Sequence, residues 1–326
     1  MSLTRRYSLS RRQFLASASA LPILSAAPLR AAAPLQVVAT TGMIADAALA
    51  IGGTSVAVRG LMGPGVDPHS YRQTRSDIVA MTRANLVLVH GLYLEAQMED
   101  FFEDLRRRRN VVAVAEEIPR AELRAHATYQ DKFDPHVWMD PALWTGPVSV
   151  VQRALSAAMP EAAEEIAVNA ERYIATLRRL DAYAREVLLT VPEPERVLLT
   201  AHDAFGYFGR AYGFEVVGIQ GISTESEAGL NRIRDLVRLL VDRRIGAVFV
   251  ESSVSDRNMR ALVEGAAAAG HQVRIGGELF SDAMGVPGTY EGTYPGMIDH
   301  NITIIAAALG GKVPPRGMAG LLKGSS

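Results

Sequence analysis

From residue 35 onward, short apolar, β-branched runs alternate with stretches of helical spacing, and this rhythm narrows the possible folds more than any other feature of the chain. Residues 35–40, 55–61, 85–89 and 111–114 read as strands, and 43–51, 72–84 and 95–105 read as helices. The run 85–89 is almost wholly apolar, the mark of a strand buried on both faces of a parallel sheet. Such βα alternation builds a doubly wound sheet whose working edge lies at the carboxyl ends of the strands.

The rhythm breaks once. Between Glu161 and Thr190 there is no glycine or proline, and Ile166, Tyr173, Ile174, Leu177, Leu180, Tyr183, Val187 and Leu188 recur at roughly helical spacing. A single helix of that length extends ~45 Å, with Pro160 at its start and Pro192 and Pro194 stopping it. Alternation then resumes, with strands at 196–200, 214–219, 247–250 and 272–275 and helices at 205–212, 226–243, 256–269 and 297–309. The expected fold class is α/β: two doubly wound (βα)n lobes, 34–160 and 192–326, joined by a single long α-helix over 161–191, with a cleft between the lobes.

Residues 1–33 stand apart from this pattern. Ser10-Arg11-Arg12-Gln13-Phe14-Leu15 resembles a twin-arginine export motif, and an alanine-rich apolar stretch follows that is too short for a good spanning helix. The chain has no cysteine, hence no disulfides and no residue to carry an amino-terminal lipid. These features lead us to expect a periplasmic protein that is not a lipoprotein. Thirty-four basic residues balance thirty-five acidic ones, so no global field favours nucleic acid. The run Arg106-Arg107-Arg108-Arg109 reads as a solvated helix end.

Seven histidines are present, and two of them share one rigid frame, Asp67-Pro68-His69 and Asp134-Pro135-His136. Proline fixes its own φ and pushes the preceding aspartate toward an extended conformation, so each imidazole leaves a stiffened loop. A third, His202, falls where the strand 196–200 gives way to a helix, and Asp282 lies just beyond 272–275. Each lobe therefore offers two candidate ligands. Three imidazoles and a carboxylate form a nitrogen/oxygen set suited to zinc and acceptable to manganese or ferrous iron. Asp67 and Asp134 are candidates for loop formation or for orienting a ring nitrogen. Asp203, Glu251 and Glu278 are candidates for supporting positions around the ligands. His90, His271 and His300 read as structural or surface residues, and Trp138 and Trp144 as core aromatics.

Gly65-Val66-Asp67-Pro68-His69-Ser70-Tyr71, Phe133-Asp134-Pro135-His136-Val137-Trp138-Met139-Asp140 and Thr200-Ala201-His202-Asp203-Ala204-Phe205-Gly206-Tyr207-Phe208 resemble the metal-binding segments of TroA-like substrate-binding proteins. These are the zinc/manganese receptors of ABC importers. Gln220-Gly221-Ile222-Ser223-Thr224-Glu225-Ser226-Glu227 and Gly277-Glu278-Leu279-Phe280-Ser281-Asp282 match the same family, in order along the chain. The resemblance implies a metal held between two lobes by His69, His136, His202 and Asp282. It also implies delivery to a membrane permease driven by a cytoplasmic ATPase, with no reaction catalysed and the protein acting as a monomer. Histidine rather than glutamate at position 202 favours zinc, then manganese, with iron third. The His- and Asp-rich loop of many zinc receptors is absent, with only His126 between Glu116 and His136. The alternatives are a zinc metallohydrolase, for which no His-Glu-x-x-His helix is present, and an adhesin or interaction protein of the same fold.

Overall fold

Four short strands open the fold. The structure, a computed structural model, describes residues 33–126 and 129–323. β1 (Leu35–Ala39), β2 (Val56–Gly60), β3 (Leu86–Val89) and β4 (Val111–Ala113) form a parallel sheet in the order β2-β1-β3-β4. All four residues of β3 are buried because helices cover both faces of the sheet. Leu86 and Leu88 enter one apolar core with Met43, Ile44 and Ile51 of α1 (Gly42–Gly52). Val87 and Val89 enter another with Met81 of α2 (Arg75–Arg83) and Phe102 and Leu105 of α3 (Glu99–Arg106). The period-2 alternation of a strand thus feeds two cores at once. A capping box starts α2, with Thr74 accepting from the Asp77 N–H and Asp77 accepting from the Thr74 N–H. The arginine run beyond α3 is solvated, Arg107 pairing with Glu103 and Asp104 on the exposed surface.

Helix α4 (Pro141–Ala158) has no counterpart among the expected elements. Gly146 and Pro147 sit side by side in its middle and mask the helical signature. Its start is nonetheless written locally: Asp140 Oδ1 accepts the Ala142 and Leu143 N–H groups, and Pro141 occupies the first turn. Interior proline costs about 3 kcal/mol, offset here by burial of Trp144, Val148, Val151 and Leu155. Helix α5 (Ala163–Leu188) is the long helix, shorter than expected because a 3-10 turn takes up Pro160–Ala162. Its stripe Ile166, Ala170, Tyr173, Leu177, Leu180, Ala184 and Val187 is buried in the same core as α1 and α4.

In the second half, β5 (Val197–Thr200) leads to α6 (Gly206–Tyr212) and pairs in parallel with β6 (Glu215–Gly218). Helix α7 (Leu230–Asp242) leads to β7 (Ala247–Glu251), α8 (Arg257–Ala268) follows, and β7 pairs in parallel with β8 (Arg274–Leu279). Val197, Leu199 and Val248 face α7 and α8 in an outer core. Leu198, Ala247 and Phe249 face inward, together with α6 and α9 (Tyr294–Ala308). One central core is therefore shared by both halves, and each half has an outer core of its own. Among the described residues, no helix is long and apolar enough to cross a membrane. The expected export segment lies outside the described residues, apart from Ala33.

Strand β8 runs four residues beyond the expected 272–275, carrying the chain toward Asp282. Gly276 and Gly277 make this possible. The register with β7 shifts at Val248/Phe249, and Gly277 has φ +153°. A Cβ on Gly277 would lie 2.6 Å from Ile304 Cγ2 of α9. Gly277→Ala is expected to cost about 1–3 kcal/mol through backbone strain, read as a lowered thermal unfolding temperature; an unchanged temperature would count against a requirement for glycine there.

Candidate metal centre

The two Asp-Pro-His frames build the same turn. Asp67 Oδ1 accepts the His69 N–H at 2.9 Å, and Asp134 Oδ1 accepts the His136 N–H at 3.0 Å. His69 lies in the loop after β2, His136 just before the turn into α4, His202 two residues past β5, and Asp282 three residues past β8. All four are buried. One donor atom from each falls within 4.8 Å of every other. His136 Nε2 lies 3.2 Å from His69 Nε2, 3.3 Å from His202 Nε2 and 3.3 Å from Asp282 Oδ1. His202 Nε2 is 3.2 Å from Asp282 Oδ2. A tetrahedral zinc with Zn–N of ~2.0–2.1 Å separates its donors by roughly 3.3 Å, so these spacings are those of a closed cation seat. Neither Asp282 oxygen receives a well-directed hydrogen bond from the protein, which leaves a buried carboxylate that calls for a cation.

Carboxylates fix two of the imidazoles from behind. Asp134 Oδ1 accepts from His136 Nδ1 at 2.7 Å, and Glu251 Oε2 accepts from His202 Nδ1 at 2.6 Å. Each bond places the proton on Nδ1 and turns the Nε2 lone pair toward the seat. Glu251 Oε1 also accepts the His202 N–H at 2.9 Å. Asp67 does not reach its histidine's ring; its Oδ2 instead accepts from Thr224 Oγ1 of the second half at 2.6 Å. Glu278 is exposed, and Asp203 makes no side-chain bond to the cluster, so neither supports a ligand in the way Glu251 does.

Electrostatics separate the three histidines. Burial pushes His69 down to about 3, helped by repulsion from its two imidazole neighbours. Burial acts on His136 in the same direction, but Asp134 and Asp282 outweigh it and hold that ring up at about 9. Glu251 and Asp282 likewise overcome burial at His202 and raise it well above the usual range. The Asp282 carboxyl, which burial alone would raise, is pulled well below its ordinary value by His202 and His136.

The other histidines serve the frame. His90 is fully buried and donates from Nε2 to the Pro135 carbonyl at 2.7 Å, bracing the second Asp-Pro-His loop. Its ring stacks on Trp144 and meets Trp138 edge-on. His271 and His300 donate to the Ile245 and Glu278 carbonyls. Trp138 does more than fill the core, since its Nε1 donates to the Ser281 carbonyl beside Asp282 at 2.8 Å. Spacing along the chain held no signal for that bond or for the Thr224 contact.

An α/β body with a small, buried, carboxylate-backed His3Asp group defines a protein built so that it could hold a metal ion. Comparison with known proteins identifies it further. The family model described as "Zinc-uptake complex component A periplasmic" matches residues 37–308. The chain is 50% identical over 269 residues to the manganese-binding lipoprotein MntA of Bacillus subtilis, covering 82% of this chain and 88% of that one. It is 48% identical over 268 residues to the zinc-binding protein TroA of Treponema pallidum, covering 82% and 86%. The solved periplasmic zinc-binding TroA structure from the same organism superposes with a TM-score of 0.82 at 47% identity, covering 85% of this chain and 99% of that one. The chain belongs to the ZnuA/TroA family and is a metal-binding substrate-binding protein of a metal ABC transporter. Its relatives are transport components, not enzymes.

These relatives correct one expectation. MntA is named a lipoprotein, which runs against the expectation that this protein is not one. The family match covers residues 37–308, the metal-binding body. Its fold therefore carries no information on anchoring.

With His136 held at about 9, its ring is protonated at neutral pH, and coordination through Nε2 requires that proton to leave. Zinc binding is expected to release at least one proton between about pH 6.5 and pH 9, with affinity rising across that window. Calorimetry in buffers of different ionisation heat reads this directly, and binding without proton release would contradict the protonation state assigned to His136.

Proposed function

We propose that this protein captures a divalent transition metal outside the cytoplasmic membrane, zinc ahead of manganese and both ahead of iron. We propose further that it delivers the metal, as a monomer, to a membrane permease driven by a cytoplasmic ATPase. The ligands in this reading are His69, His136 and His202 through Nε2 and Asp282 through its carboxylate. The observation that carries it is the set of buried donors at tetrahedral-edge separations, two of the imidazoles backed by carboxylates. Three neutral imidazoles form a softer set than manganese prefers, which supports the ranking. The names of the relatives point both ways, zinc for TroA and manganese for MntA. Manganese would use both oxygens of Asp282 to approach its higher coordination number.

Elemental analysis of protein from its natural compartment, paired with zinc and manganese competition titrations, tests the ranking; manganese displacing zinc at equal free concentration would reverse it. The ligand assignment has its own test. Glu251→Gln is expected to weaken zinc binding by about 10–100-fold, and His202→Ala to weaken it further because the second half then keeps only Asp282. Equal affinities for the His202→Ala variant and the unmodified protein would remove His202 from the site.

A further inference from the structure

Three buried carboxylates serve the seat: Asp282 within it, and Asp134 and Glu251 behind two of its imidazoles. They are not partnered alike. Glu251 accepts from the His202 main chain and ring, and Asp282 faces His136 and His202. Asp134 has a cationic partner as well. Arg124 Nε donates to its Oδ2 at 3.4 Å, while its Oδ1 serves His136. Among the described residues, Arg124 is the one lysine or arginine paired with any of the three carboxylates.

This pairing is built into the fold. The Arg124 carbonyl accepts the Asp134 N–H at 2.8 Å, which sets the two residues opposite one another beside the antiparallel bridge between Ala125 and Phe133. Tyr207 Oη of α6 accepts the Arg124 N–H at 3.0 Å and donates to the Asp134 carbonyl at 2.8 Å. The guanidinium lies against the start of α6, where a Cβ on Gly206 would come within 2.5 Å of Nε. Glycine at 206 leaves that space open. Asp203 also feels this guanidinium, but from a half-buried position where water screens the attraction.

We infer that Arg124 is a specificity-determining residue that matches the seat to an ion of charge two. The inference rests on the metal-capture reading above. Asp134, Glu251 and Asp282 carry three negative charges. A divalent ion held by neutral imidazoles cancels two of them, and the Arg124 guanidinium cancels the third. A trivalent ion would leave the buried group with one positive charge in excess, which a low-dielectric surround penalises. Arginine keeps its charge throughout the working pH range, so the match is fixed by the chain itself. Arg124 never touches the metal and acts through Asp134.

The test compares zinc with gallium(III), an ion of similar size and higher charge, in competition titrations against nitrilotriacetate on the full chain. Arg124→Gln is expected to raise the gallium-to-zinc affinity ratio about tenfold. A merely structural role would weaken both ions together and leave the ratio in place. Arg124→Lys keeps the charge without the forked geometry and should hold the ratio near that of the unmodified protein. Asp134→Asn alone should lower the ratio, and combining it with Arg124→Gln, which removes one charge of each sign, should bring it back. An unchanged ratio in Arg124→Gln, or equal rises in Arg124→Gln and Arg124→Lys, would overturn the assignment. An unmodified protein that takes up no zinc or manganese would instead overturn the capture reading on which it depends.

Discussion

The buried carboxylate of Asp282 is the constraint around which the rest of the structure is arranged. A desolvated charge with no directed hydrogen bond is tolerated only beside compensating positive charge. Asp134 and Glu251 bring two more buried carboxylates within one imidazole of it, so the negative charge of the site exceeds what neutral histidines can balance. Without metal, protons on His136 and His202 supply the balance, which is why those rings are held above their ordinary values while the equally buried His69 is driven to about 3. A divalent ion replaces those protons. The same three carboxylates that make the empty seat costly thus make the occupied one favourable.

Such a seat needs a rigid surround, and the central core provides it. Strand residues of three sheets, Leu86 and Leu88 from one half and Leu198 and Phe249 from the other, converge on the layer formed by α1, α4, α5 and α9. The long helix is therefore a packed member of the interior. Close approach is part of the arrangement, since Gly276 and Gly277 let α9 lie directly on β8 and set the path of the chain into Asp282.

What the sequence disclosed follows from the range of the physics involved. Strands with period-2 burial, the capping box at Thr74 and the rigid Asp-Pro-His frames are all decided within a few residues, so each is legible in the order of amino acids alone. His69 and His136 lie within those frames, whereas His202 and Asp282 lie two and three residues beyond the ends of their strands. Helix α4 is hidden by Gly146-Pro147, a local signal overridden by tertiary burial of Trp144 and its neighbours. The end of β8 is hidden in the same way by its two glycines. The long-range bonds around the seat are invisible for another reason. Trp138 and Ser281 are 143 residues apart, Tyr207 and Asp134 are 73 apart, and Thr224 and Asp67 are 157 apart. No spacing rule reaches that far.

The doubled Asp-Pro-His shows how one local frame can serve two mechanical ends. In both copies the aspartate closes a turn on the histidine's own main chain. At 134 the same oxygen also grips the ring, and the carbonyl behind it is bound to α6, so the imidazole is fixed in orientation and position. At 67 the second oxygen accepts from Ser70 and Thr224, and among the described residues no carboxylate grips the ring.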